Sequence, residues 1–179
     1  SRNKNISEDK QIFNKVVDFD DKESLDGLFT NITDVFICLG TTIKKAGSKK
    51  EFYRVDVLYP EAFAKECRKA NAKFFGLVSS TGATEFSPFN YIRCKGIVER
   101  KIREQNFDHL AIFRPSLLIG ERNEKRFGED LAKLLYKALA KSPFHRHFGT
   151  QVDTLAKFML KVSLEQSPKK NEIFETSQI

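Results

Sequence analysis

Four short apolar runs, spaced by segments of helical periodicity, limit the kinds of fold open to this chain. Residues 15–19 (KVVDF), 34–39 (DVFICL), 73–78 (KFFGLV) and 109–113 (HLAIF) read as strands, and residues 171–176 as a small closing strand. Between them, residues 22–28, about 51–71, 89–105, 128–141 and 152–164 read as helices, with Pro60 dividing or kinking the second. Residues 116–126 read as irregular after Arg114-Pro115, and residues 142–150 as a loop. Strands alternating with helices predict parallel βαβ units in an α/β, doubly wound sheet with helices on both faces. A single domain over 1–179 is expected, since 40% hydrophobic residues suffice for one core.

Composition narrows the function classes. The longest apolar runs are strand-sized, well short of the ~18 residues of a membrane span, so a soluble, cytoplasmic protein is expected. Cys38, Cys67 and Cys94 are too widely spaced for a disulfide framework or a zinc site and read as buried free thiols. The formal charge of +7 includes the doublets Lys44-Lys45, Lys49-Lys50 and Lys169-Lys170. Acids are mixed in throughout and no aromatic interleaving marks a nucleic-acid module, so a solvated surface is the better reading. His145 and His147 lack an acidic or cysteine partner nearby, which favours packing over metal binding. His109 reads as a strand-entry residue, and the 17 phenylalanines as core.

The chemistry gathers around one strand end. The apolar run 73–78 delivers a Ser79-Ser80-Thr81-Gly82-Ala83 turn at its carboxyl end, where ligands of open α/β sheets bind. About a dozen residues on, Tyr91 and Lys95 stand four apart on one helix face. There the ammonium can favour the phenolate and draw the tyrosine pKa down from about 10. Such a Tyr-x-x-x-Lys pair suits proton exchange with a carbonyl or alcohol oxygen in nicotinamide-dependent chemistry. The pair alone is a weak signal, because an aromatic and a basic residue fall at this spacing in many helices. Ser79, Ser80 and Thr81 can equally serve turn amides.

The ordered segments DVFICLGTT, KKAGSKKEFYRVD, FFGLVSSTGA, YIRCKGIVE and IFRPSLLIGERNEKRFGE resemble the atypical short-chain dehydrogenase/reductase family of the Tat-interacting oxidoreductase type, from about Arg2 to Gly128. The resemblance implies a Rossmann-like fold binding NADP(H) or NAD(H). It makes Tyr91 the proton acceptor, Lys95 the lysine that holds the nicotinamide ribose, and Leu39, Gly40, Leu118 and Arg126 cofactor contacts. Ser80 or Thr81 is expected to hydrogen-bond the substrate carbonyl, with Ser80 the catalytic candidate. Arg2 falls where relatives place an arginine after the second strand, which favours NADP(H) over NAD(H) through a bidentate grip on a 2′-phosphate. Asp18, closing the third strand, matches a contact to the adenine edge. Residues 116–179 are expected to form the substrate side.

No Gly-x-Gly-x-x-Gly is present and the chain does not begin with methionine, so the first βαβ unit with its glycine-rich turn is expected to belong to a longer parent. The function implied for that parent is NAD(P)H-dependent reduction of a carbonyl, or oxidation of an alcohol, on a small molecule. The alternative is a cofactor-binding regulatory or scaffold protein without turnover, acting through a protein partner or as a homodimer.

Overall fold

The structure, a computed structural model, describes residues 15–21, 23–25, 28–120, 149–165 and 170–179. It divides into two compact units, Ser1–Asn31 and Ile32–Ile179. In the first, the expected strand over 15–19 is not formed by its described residues: residues 15–18 are irregular and a turn follows. Apolar alternation alone does not make a strand; a ladder partner does. Here the Asp18 carboxylate accepts from the Asp20 N–H at 3.0 Å and the Asp18 N–H donates to Ser24 Oγ at 2.7 Å, satisfying the backbone as a turn instead. A short 3-10 helix, Glu23–Leu25, stands within the expected helix over 22–28.

The second unit is built on a parallel four-stranded sheet of order β1-β2-β3-β6, with β1 Asp34–Ile37, β2 Phe74–Val78, β3 His109–Arg114 and β6 Asn171–Glu175. Two more strands, β4 Leu118–Ile119 and β5 Thr150–Gln151, pair with each other, and helix α5, Val152–Leu164, follows directly. The expected loop over 142–150 is therefore corrected at its end, because the Thr150 N–H donates to the Leu117 carbonyl at 2.8 Å. The expected helix over 128–141 and the residues His145 and His147 lie outside the described residues.

Side chains alternate through the sheet, so both faces need cover. On one face Phe74, Ala111 and Phe113 pack with Leu155, Met159 and Val162 of α5. Phe113 stacks on Phe174 at 5.4 Å, and Phe158 closes on both rings edge-on. On the other face Phe75 stacks on Phe107 at 4.5 Å, and Leu77, Leu110 and Ile112 are fully buried. Each such ring pair contributes about 0.5–1.5 kcal/mol beyond its area burial. Many of the described phenylalanines thus fill a two-sided core, but Phe36, Phe86 and Phe89 are exposed, which corrects the expectation for them.

The helices after β1 are α1 Ile43–Ala46, α2 Lys49–Tyr53 and α3 Tyr59–Lys69, with a π-helical turn, Arg54–Leu58, between α2 and α3. Thr42 caps α1 and Ser48 caps α2, each accepting from the N–H three residues on. Pro60 accounts for the widened turn. It has no N–H for the Asp56 carbonyl four residues back, and its ring crowds that oxygen. The backbone opens just before it, with the Tyr59 N–H reaching the Arg54 carbonyl. Helix α4, Asn90–Arg103, follows the Ser-Thr-Gly turn. After α3 and α4 the chain turns through Asn71 (φ 59°) and Asn106 (φ 56°), left-handed positions that asparagine tolerates. Cys67 and Cys94 are buried, but Cys38 is exposed, which corrects the expectation of three buried thiols. Cys38 lies just past the end of β1, where strand pairing no longer covers the chain.

Candidate active site

Strand β1 ends into Leu39, Gly40 and Thr41, and β2 ends into Ser79, Ser80 and Thr81, so two neighbouring strands of the parallel sheet open their carboxyl-end turns side by side. Helix α4 sets Tyr91 in its first turn and Lys95 one turn on, half-buried and buried respectively. The Lys95 ammonium sits over the Tyr91 ring at 5.9 Å from its centroid, within cation–π range. Phe52 of α2 closes on the other side of the tyrosine, 6.3 Å between ring centroids.

The residue absent from the sequence reading is Asp56. The π turn directs it at α4, where its Oδ1 lies 3.1 Å from Lys95 Nζ and its Oδ2 accepts from the Thr41 N–H at 2.8 Å. The two side chains are 1% and 6% exposed. Burial works against the Lys95 ammonium, and the Asp56 carboxylate together with Tyr91 and Cys94 outweighs it, leaving the lysine above its usual range. Burial likewise pushes the Asp56 carboxyl up, against the pull of Lys95 and the Thr41 amide. A signal was present in the sequence: an acidic residue between Val55 and Val57, four before a proline in a helical stretch.

Gly40 lies beside this pair. A Cβ there would stand 3.4 Å from Asp56 Oδ1 and 3.8 Å from Lys95 Nζ, so the exposed glycine leaves a cradle directly over the charges. Gly40 and Lys95 are thus the residues at this strand end that could hold a cofactor sugar.

The Ser-Ser-Thr turn is held by a second buried network. Glu99, one turn after Lys95 on α4, is 1% exposed and accepts from Ser79 Oγ at 2.5 Å. It also accepts from Arg114 Nε and Nη2 at 2.9 and 2.7 Å and from Arg103 Nη2 at 3.1 Å. Arg114 further donates to Glu175 at 2.9 Å and to the Ala83 carbonyl at 3.2 Å. Thr81 Oγ1 is engaged by the Arg114 carbonyl and by Thr176 Oγ1, both at 3.0 Å. Ser80 differs: its hydroxyl makes only a 3.5 Å contact to the Thr81 carbonyl. Gly82 takes φ 76°, which this turn requires of a glycine. Gly96 lets α4 lie on the turn, since a Cβ there would come within 2.2 Å of the Thr84 carbonyl carbon.

The other sequence-selected residues are not gathered here by any described contact. Leu118 in β4 packs against the core on the α5 face. Leu39 is half-buried between β1 and Gly40. Asp18 belongs to the first unit, in the turn already described. Arg2 and Arg126 lie outside the described residues. His109 enters β3 as expected, with its Nε2 2.9 Å from Glu172.

Comparison with known proteins decides the family. Protein HTATIP2 of Rattus norvegicus is 36% identical over 165 residues, covering 92% of this chain and 67% of the rat protein. The chain belongs to the HTATIP2 and FMP52 family. FMP52 of Saccharomyces cerevisiae is 32% identical over 149 residues, and fmp52 of Emericella nidulans 34% over 139. These matches span 64% and 60% of the two fungal proteins, so the chain corresponds to part of their length. No family model matches the chain. Both fungal members of the HTATIP2 and FMP52 family are named mitochondrial, which overturns the cytoplasmic expectation. That expectation rested on the lack of an apolar span, and such a lack carries no information about compartment.

Among solved structures, MoeE5 with UDP-glucuronic acid and NAD superposes with a TM-score of 0.62 at 14% identity, covering 86% of this chain and 58% of that one. WbmG of Bordetella bronchiseptica with NAD gives 0.56 at 16% identity, covering 80% and 49%. The enoyl-(acyl-carrier-protein) reductase of Anaplasma phagocytophilum with NAD gives 0.56 at 14%, covering 89% and 68%. The family fold is accordingly the Rossmann-type parallel sheet expected from the strand–helix alternation.

Proposed function

We propose that this chain carries the catalytic face of an NAD(P)H-dependent oxidoreductase that reduces a small-molecule carbonyl, or oxidises the matching alcohol. The observation that carries the reading is the Lys95 ammonium, buried beside Gly40 at one strand end and set over the Tyr91 ring. Gly40 admits the cofactor sugar, Lys95 binds its hydroxyls, and Leu39 forms an apolar wall. When bound, the nicotinamide supplies the hydride. Tyr91 hands a proton to the substrate oxygen.

Ser80 is the hydroxyl assigned to the substrate oxygen. The Ser79 and Thr81 hydroxyls are committed to Glu99 and to Arg114 and Thr176, which leaves Ser80 with the weakest internal claim. Positioning these groups supplies most of the rate gain in such a site. Residues 116–179 form the substrate side, and Leu118, Asp18, Arg2 and Arg126 are assigned to the cofactor on the family resemblance. Arg2 makes NADP(H) the favoured cofactor. The mitochondrial naming of the fungal relatives makes organelle fractionation the assay of location.

The test begins with NADPH and NADH fluorescence titration of this chain beside the full-length protein. Tyr91→Phe in the full-length protein should then lower turnover by about 10²–10⁴-fold while cofactor affinity is kept. Lys95→Ala should damage both. Cofactor binding with no turnover that depends on Tyr91 would instead support a regulatory or scaffold role.

A further inference from the structure

The Asp56 carboxylate joins two parts of the site that the chain keeps apart. One oxygen faces the Lys95 ammonium and the other holds the Thr41 amide next to Gly40. Oδ1 accepts no well-directed hydrogen bond, so its hold on Lys95 is chiefly one of charge. Stability is a poor reason for such a pair. Removing two charges from water costs several kcal/mol per ion, and an apolar pair of similar volume is often as stable or more so. What an apolar pair does not do is keep an ammonium charged and stationary beneath an open backbone.

We propose that Asp56 is a positioning residue of this site, whose carboxylate keeps Lys95 in place and sets the Gly40–Thr41 turn above it. The inference rests on the reading of Lys95 and Gly40 as cofactor contacts. The groups facing Lys95 are Asp56 from the π turn and Tyr91 and Cys94 from α4, with Cys38 at the end of β1 also within its field. Asp56 is the carboxylate among them. Its loss leaves the ammonium buried without a counter-charge, which favours the neutral amine and frees the Thr41 turn.

The experiment is a pH titration of the Lys95 side chain by NMR in ¹³C-lysine-labelled full-length protein, wild type against Asp56→Asn and Asp56→Glu, with NADPH titration alongside. In the wild type, Lys95 should hold its proton beyond the pH at which exposed lysines release theirs. In Asp56→Asn its proton affinity should fall by about tenfold or more, a full pKa unit, and NADPH binding should weaken by about tenfold. Asp56→Glu should recover part of both. A loss of thermal stability in Asp56→Asn with Lys95 titrating as before would reduce Asp56 to a structural residue and overturn the proposal. If Asp56→Asn does not fold, the wild-type titration decides alone, since a Lys95 that deprotonates with the surface lysines or before them refutes the charge hold. If the wild type binds no NADPH, the cofactor reading of the site is what fails, and the lysine titration still reports on Asp56.

Discussion

Lys95 shows how a residue's chemistry is set by neighbours that spacing alone does not identify. Its partnership with Tyr91 was legible, because four residues along a helix is a fixed displacement. Its partnership with Asp56 was not, since that contact depends on where a π turn on another element points its side chain. The Ser79-Ser80-Thr81 triplet behaves alike: of three similar hydroxyls in sequence, those of Ser79 and Thr81 fasten the turn to other elements, while that of the buried Ser80 reaches the Thr81 carbonyl at 3.5 Å. Gly96 belongs to this scale as well. A methyl there meets the backbone at Thr84 and Glu85, where no side chain can swing away. Gly96→Ala should destabilise the protein by about 1–3 kcal/mol, lowering Tm by several degrees in a thermal melt. A melt unchanged within a degree would mean that α4 does not lie this close to the turn.

Among the elements, the β2, α4, β3, α5 and β6 segments formed close to where apolar periodicity placed them. Periodicity reports burial, and burial is what these elements share. The helix expected over 51–71, with Pro60 dividing or kinking it, is interrupted just before Pro60 by a π turn, a change in hydrogen-bond register that hydrophobic pattern does not encode. Helices α3 and α4 are joined at Glu61, which takes Lys101 of α4 at 2.7 Å and Lys65 of its own helix at 2.8 Å. Partial burial pushes the Glu61 carboxyl up, and the two lysines outweigh it, so the group titrates below its usual range. A lowered folded-state pKa contributes stability that is present above the unfolded value and is lost as pH falls through the folded one. Glu61→Gln should therefore lower Tm at neutral pH by an amount worth no more than about 1 kcal/mol. The gap to wild type should close as the pH is taken below the ordinary glutamate range. A gap that persists undiminished in acid would show that the loss comes from packing rather than charge.

At the scale of the whole second unit, Glu99 is the point where the most distant segments meet. It joins α4 to the turn after β2, to Arg114 at the end of β3 and, through Arg114, to Glu175 of β6. Replacing it with glutamine removes one of the two counter-charges of the half-buried Arg114 and should cost about 1.5–3 kcal/mol, read as a lower urea midpoint with unchanged slope. Because Ser79 leans on the same carboxylate, the Ser80 turn should loosen with it. A midpoint equal to wild type would show that Arg114 and Glu175 hold the strand ends without Glu99.

The positions of β2, α4, β3, α5 and β6, the strand-end turn and the Tyr91–Lys95 pair were all determined by the chain's own local pattern. Each depends on residues within a few positions of one another. The run over 15–19 marks the limit of that logic, since it is apolar enough for a strand and no ladder formed among its described residues. Only the tertiary structure decided that Asp56 faces Lys95, that Ser79 is held by Glu99 and Thr81 by the Arg114 carbonyl, and that Glu99 gathers Arg114. Those are contacts between separate elements, and their geometry is set by how helices seat on the sheet rather than by any spacing along the chain.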